Sequence, residues 1–322
     1  MANKIKKIIA FLFLINLTIS LSYSREVITF ISANPFGFKD IIDGLENEEK
    51  QKVNGILSLP KGEGPFPLII GVAGSLNWSK HHLEYMRMYQ EMGIATFELQ
   101  SFSSRGVKST VGSQIEVTTA MMILDAYKAL EALSNNSQID VKKAAITGWS
   151  LGGGVALYSG WKPLIENITK EHVFAAHLSI YPPCLVEPLS MEFTSSPMHI
   201  LIGELDDWTP AKACEELVPK IMASGSNIDL TVYPNSHHSF DKEAKSKFNE
   251  SAYSTVDCRF TMKDDGTVLM DFLSLPMSSP LLQKLGLGLC ADRGTTTEGN
   301  PESRIKAFEF AKEFMKKNLI EK

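Results

Sequence analysis

Along the chain, short apolar runs alternate with longer stretches in which apolar residues recur every three or four positions. Leu68-Ile69-Ile70-Gly71-Val72 is apolar without a break, the pattern of a strand buried on both faces. Residues 94–99 and 144–148 read the same way. Strands are also predicted at 26–31 and 53–59, the second running into the turn Pro60-Lys61-Gly62-Glu63-Gly64. Three more are predicted at 174–180, 199–202 and 228–232. Over 117–133, Ala120, Ile123, Ala126, Tyr127, Leu130 and Leu133 fall at helical steps. A closing helix is predicted over 304–319, with Ile305, Phe308, Phe310, Ala311 and Phe314 as its apolar face. Alternation of this kind predicts an α/β fold: a mostly parallel central sheet flanked by helices on both sides. Residues 241–301 follow neither period and read as an irregular, lid-like insertion.

The first 24 residues stand apart. Lys4, Lys6 and Lys7 precede a 14-residue apolar run, Ile8 to Leu21, which Asn16, Thr18 and Ser20 interrupt and the small-residue sequence Ser22-Tyr23-Ser24 follows. That is the form of a secretory signal peptide; a spanning helix needs about 20 apolar residues, so an uncleaved anchor is the weaker alternative. Residues 25–322 then form a single domain with no repeat, low-complexity tract or linker. Export changes the reading of the cysteines, since outside the cytoplasm an even number of thiols is usually paired. Of the three pairings open to Cys184, Cys214, Cys258 and Cys290, we favour Cys184 with Cys214 and Cys258 with Cys290. The first ties together two segments that follow predicted strands, and the second staples the irregular insertion. A zinc site is the rival, weakened by the lack of any C-x-x-C spacing.

Composition narrows the function classes. With 44% hydrophobic and 21% charged residues the chain is neither disordered nor a polytopic membrane protein. Its formal net charge is -5, and removal of a leader holding three lysines and no acidic residue deepens this to -8. Without a clustered basic patch there is no basis for nucleic-acid binding. No later segment is apolar enough for stable membrane insertion.

Chemistry enters at Gly148-Trp149-Ser150-Leu151-Gly152. A serine on a sharp strand-to-helix turn needs minimal neighbours two residues away on each side, because their backbones approach adjacent elements closely. The strand predicted over 144–148 and the apolar stretch Val155-Ala156-Leu157-Tyr158 supply the required context. The alternative is a Gly-rich helix entry that packs tightly or binds an anion. Downstream, the strand at 199–202 leads into Gly203-Glu204-Leu205-Asp206-Asp207-Trp208-Thr209-Pro210. The strand at 228–232 leads into Pro234-Asn235-Ser236-His237-His238-Ser239-Phe240. Ser, then Asp, then His after successive strands is the order of the α/β-hydrolase triad, in which histidine activates the serine and the acid orients the histidine.

These residues resemble the dienelactone hydrolase family of α/β-hydrolases, and the resemblance covers most of residues 25–322. It implies Ser150 as nucleophile, Asp206 as acid within G-x-x-D-x-x-x-P, and His238 as base within H-x-F. Asp207 is an alternative acid, and the pairs His237/His238 and His81/His82 are alternative metal ligands, although adjacent histidines point in different directions. The resemblance places oxyanion-hole N–H groups on Leu151 and on the loop Ala73-Gly74-Ser75-Leu76, with Ser75 favoured over Leu76. Relatives usually carry a His-Gly-Ser-like sequence there, so Ala73 is a departure. Secreted relatives carry Asp-Ser-Phe…Arg-Gly where this chain has Gln100-Ser101-Phe102…Arg105-Gly106. Arg105 is a candidate clamp for a substrate carboxylate, with a structural ion pair as the alternative, and Trp149 is a candidate substrate contact.

True dienelactone hydrolases use a cysteine nucleophile, so serine here implies a general carboxylic-ester hydrolase working through an acyl-enzyme, with a small-molecule ester as partner and no cofactor or metal. The alternatives are an idle member of the fold that only binds, and a hydrolase or acyltransferase of lactone, thioester or peptide bonds, since a triad does not choose its leaving group. Sequons begin at Asn77, Asn135, Asn167 and Asn249; a glycan on Asn77 would obstruct the oxyanion loop, which favours the bacterial periplasm over eukaryotic secretion. The sequence carries no signal for oligomeric state.

Overall fold

The structure, a computed structural model, describes residues 24–321. The leader expected over residues 1–24 lies outside them, except that Ser24 opens the first strand. In chain order the strands are β1 (Ser24–Ala33), β2 (Lys50–Leu59), β3 (Phe66–Val72), β4 (Ala95–Leu99), β5 (Ile139–Trp149), β6 (Ala176–Ile180), β7 (Val186–Pro188), β8 (Met198–Gly203) and β9 (Ile228–Tyr233). All but β7 join one eight-stranded sheet in the order β1-β2-β4-β3-β5-β6-β8-β9. β1 and β2 pair antiparallel, as do β2 and β4; from β4 onward every pairing is parallel. The continuous apolar runs are the central strands. Leu68, Ile69, Ile70 and Val72 of β3 are wholly buried, as a strand paired on both edges and covered on both faces requires.

The helices are α1 (Phe38–Asp43), α2 (Lys80–Glu91), α3 (Ser101–Ser104), α4 (Thr119–Leu133), α5 (Leu151–Tyr158), α6 (Lys162–Ile168), α7 (Ala211–Ala223), α8 (Pro280–Cys290) and α9 (Pro301–Met315). Local chemistry fixes their starts. Thr118 caps α4 by accepting from the Met121 N–H. Asn300 Oδ1 accepts from the N–H groups of Glu302 and Ser303, with Pro301 at the first helical position of α9. All six residues expected on the apolar face of α4 are buried. The α9 expectation needs correction: its buried stripe is Ala307, Ala311 and Met315, at steps of four, while Ile305 is exposed. Phe308, Phe310 and Phe314 pack only partly against the core.

The segment 241–301 is more ordered than its pattern predicts. It forms β10 (Lys247–Ser254), β11 (Phe260–Met262), β12 (Val268–Met270), α8 and β13 (Asp292–Thr297). β10 pairs antiparallel with β13, and β11 lies between β12 and β7 in a separate three-stranded sheet. Both expected disulfides are present. Cys184–Cys214 joins the chain after β6 to α7, and Cys258–Cys290 joins the approach to β11 to the end of α8. Among the described residues no helix is long and apolar enough to cross a membrane.

Candidate active site

β5 delivers Ser150 to the sheet's C-terminal edge, and α5 begins at the next residue. Ser150 has φ 56 and ψ -117, a conformation a non-glycine residue adopts only when its surroundings hold it there. The flanking glycines show what holds it. A Cβ on Gly148 would collide with the Gly152 carbonyl oxygen, and a Cβ on Gly152 with the carbonyl oxygens of Val72 and Ala73. Ser150 N–H donates to the Ile180 carbonyl at 2.9 Å, tying the turn to β6.

Asp206 and His238 arrive on the loops after β8 and β9. His238 Nε2 lies 3.0 Å from Ser150 Oγ, and His238 Nδ1 lies 2.7 Å from Asp206 Oδ2. A proton on Nδ1 shared with the carboxylate leaves Nε2 free to accept from the serine hydroxyl. Asp206 is held in turn: its Oδ1 accepts from the N–H groups of Trp208 and Thr209 at 3.0 and 2.8 Å. Thr209 Oγ1 lies 3.1 Å from Asp206 Oδ2 and donates to the Tyr181 carbonyl at 3.0 Å. Asp206 and His238 are almost fully buried, so little water competes for these bonds. The alternative acid is spoken for, since both oxygens of Asp207 accept from the Thr296 N–H of β13.

Ser75 and Leu151 line the same cavity as Ser150. Leu151 is the first residue of α5, and the first N–H groups of a helix have no partner within it. A Cβ on Gly74 would press against the Trp149 carbonyl oxygen and Ser150 Cβ, so the loop after β3 sits directly on the nucleophile turn. Leu76 is exposed and is not part of the cavity wall.

Two site expectations are corrected. All five N–H bonds of the Arg105 guanidinium are committed inside the protein, to Asn34 Oδ1, the Ser101 and Ala33 carbonyls, and both oxygens of buried Asp125. No donor is left for a substrate carboxylate, and the structural ion pair is the role the geometry shows. Trp149 is wholly buried, stacked on His82 with ring centroids 4.5 Å apart, and does not reach the cavity.

The histidine pairs also separate. His237 Nε2 lies 3.9 Å from Glu298 Oε2, whereas the His238 ring nitrogens face Asp206 and Ser150. His82 Nδ1 accepts from Ser79 N–H at the start of α2, and burial lowers its pKa well below the usual value. His81 Nε2 lies 3.1 Å from the Tyr181 hydroxyl, which donates to buried Asp241 at 3.0 Å. Burial lowers the His81 pKa, opposed in part by Asp241, and raises that of Tyr181 far above its ordinary value. The Tyr181 ring meets the His238 ring edge-on at 4.7 Å, making it a contact the sequence reading missed. Its signal was its place just after β6, at the same sheet edge as the other loops. Among the described residues no group of three or more His, Cys, Asp or Glu side chains is placed to hold a metal.

Beside Ser150 lies a cavity of about 200 Å³. The core side of its wall includes Phe36, Phe38, Tyr158, Leu185 and Val186; the insertion adds Tyr253, Phe260, Val268, Met277 and Leu287. Among the described residues no charged side chain lines it.

Comparison with known proteins bears on the family and the fold. The model of the dienelactone hydrolase family matches residues 89–262. A Yersinia pestis protein carrying the provisional name carboxymethylenebutenolidase is 21% identical over 199 residues, which span 59% of this chain and 74% of that protein. A dienelactone hydrolase-like promiscuous phosphotriesterase from metagenomic libraries superposes with a TM-score of 0.55 at 12% identity, covering 91% of this chain and 98% of its own. A solved structure designated m3DLH superposes with a TM-score of 0.59 at 13% identity, covering 92% of this chain and 99% of its own. With a mostly parallel sheet flanked by helices, and a family match spanning more than half its length, the chain belongs to the dienelactone hydrolase family of α/β-hydrolases.

Proposed function

We propose that the protein is a serine carboxylic-ester hydrolase. The observation that carries this reading is the unbroken hydrogen-bonded line from Ser150 Oγ through His238 to Asp206, at 3.0 and 2.7 Å, opening on an apolar cavity. In the reaction, His238 Nε2 takes the Ser150 hydroxyl proton as Oγ adds to the ester carbonyl. Asp206 holds the Nδ1–H tautomer and stabilises the imidazolium. The N–H groups of Leu151 and Ser75 receive the developing oxyanion. His238 then returns its proton to the leaving alkoxide, giving an acyl-enzyme on Ser150, and water activated by the same imidazole releases the acid. Every group required comes from the chain itself.

The two disulfides support an oxidising compartment, and with the leader-like residues 1–24 they favour an exported, periplasmic or secreted protein. Ser150→Ala is expected to lower p-nitrophenyl acetate turnover by about 10⁴-fold or more and to abolish labelling by a fluorophosphonate. Unchanged turnover in a folded variant would show that Ser150 is not the nucleophile. Wild-type protein that neither hydrolyses esters nor takes the label would favour the idle-binding alternative.

A further inference from the structure

The cavity lies on one side of the nucleophile. Ser150 and the two residues assigned as oxyanion donors, Leu151 and Ser75, line it; His238 does not, although Trp208 and Thr209, which touch the far side of its ring from Nε2, form one edge. A leaving alkoxide must take its proton from His238 Nε2, so the leaving group sits toward the histidine and the cavity receives the other half of the ester. Resting on the ester-hydrolase reading, we infer that this cavity is an acyl pocket for an uncharged, apolar chain of about six to eight carbons, or a single aromatic ring. Its size sets the length, since a cavity of about 150 Å³ holds benzene, and this one is about 200 Å³.

Charge excludes the acidic alternative. A carboxylate brought into the cavity would lose water and meet no cation on the wall. Arg105, the cation the sequence offered, is consumed by Asp125 and its other partners. Several of the wall's polar groups are already engaged: Thr118 Oγ1 donates to the Pro35 carbonyl, Gln283 Nε2 to that of Gln114, and the Tyr158 hydroxyl to that of Val186. Apart from the oxyanion donors at the start of α5, the feature that would attract an anion is the N-terminus of α4, where Thr119 and Ala120 border the cavity. Its charge is about half an elementary unit and partly used by the Thr118 cap, which falls short of a counterion.

The insertion supplies part of the pocket's wall. Val186 in β7 pairs with Phe260 in β11, and both residues face the cavity. Cys184 immediately precedes Leu185 and Val186, while Cys258 and Cys290 bracket Phe260 and Leu287. The family's core sheet therefore supplies the chemistry, and the stapled insertion sets the acyl length.

A matched ester panel tests this: p-nitrophenyl acetate, hexanoate, octanoate and dodecanoate, with the p-nitrophenyl monoester of adipic acid as the anionic partner of hexanoate. Each buried methylene is worth up to about fourfold in kcat/KM (about 0.8 kcal/mol), so hexanoate is expected to exceed acetate by roughly 10- to 100-fold. Dodecanoate should fall below octanoate, and the adipate monoester should trail hexanoate at least tenfold. Met277→Phe, which narrows the roof, should lower the octanoate-to-acetate ratio at least tenfold; Gln283→Arg should narrow the gap between hexanoate and the adipate monoester. Acetate turnover that stays flat or declines toward hexanoate, or a preference for the adipate monoester, would overturn the acyl assignment and leave the hydrolase reading standing. Loss of all turnover together with absence of fluorophosphonate labelling would overturn the hydrolase reading, and the acyl assignment with it.

Discussion

Arg105 shows how a single side chain can carry the same sequence signature for two opposite roles. Its side chain, 6% exposed, pairs bidentately through the guanidinium with Asp125, whose side chain is wholly buried. Removing one member of such a pair leaves an uncompensated buried charge, which costs about 3–5 kcal/mol. Arg105→Ala is therefore expected to destabilise the protein by that amount in urea unfolding, with equal relative rates on neutral and anionic esters. A loss under about 1 kcal/mol would show that Asp125 finds another partner. The sequence offered the ion pair as an alternative but hid its partner, because Asp125 sits between Ile123 and Ala126 on a stretch whose periodicity reads as apolar. Ser150 was legible for the converse reason. Its strained φ of 56 demands glycine two residues away on each side, so a local steric constraint is written into five consecutive positions. Asp206 and His238 were legible through their places just after strands. Asp206 was already favoured over Asp207 by the motif; what the sequence could not show is that Asp207 binds the β13 backbone about 90 residues downstream.

At the level of elements, legibility followed length and burial. β3 and β8 were readable within a residue or two because strands paired on both edges are largely apolar; of β5 only the buried half from Ala144 was readable, since Asp140, Lys142 and Lys143 break the apolar run in its first half. β7, β11 and β12 have three residues each, too short for any period; β7 and β11 pair across about 70 residues, and β12 joins only through the neighbouring β11. The same shortness makes the insertion depend on its staple. Cys258–Cys290 closes a sequence separation of 32, worth about 3–4 kcal/mol by the chain-entropy account. Replacing both cysteines by serine is expected to remove much of that and to act locally. Amide exchange over 258–290 should accelerate while β3 and β5 stay protected, and octanoate turnover should fall more than acetate turnover. Acceleration spread evenly through the central sheet would show instead that insertion and core unfold as one unit.

For the molecule as a whole, burial of neutral histidines sets the response to acid. Burial lowers the pKa of His81 and of His82, and brings His177 and His199 down to about 4 from an ordinary value near 6.5. Between about pH 6.5 and 4 the unfolded chain binds protons at these positions that the folded chain refuses, so stability is present above pH 6.5 and falls as pH drops. Overall charge works the other way. The chain carries -5 at pH 7, so the first protons taken up reduce its self-repulsion. A loss of stability between pH 7 and 5 therefore reports the buried sites and not the net charge. His177 is the cleanest case, 1% exposed with Nδ1 2.9 Å from the Ala156 carbonyl, and it alone accounts for about 2 kcal/mol over that interval. His177→Asn keeps a donor near Nδ1 and removes the titration. Its absolute stability will drop through lost packing, but the difference in unfolding free energy between pH 7 and pH 5 should shrink by about 2 kcal/mol relative to wild type. An unchanged difference would mean that His177 is protonated in the fold, and that acid acts on this protein through another group.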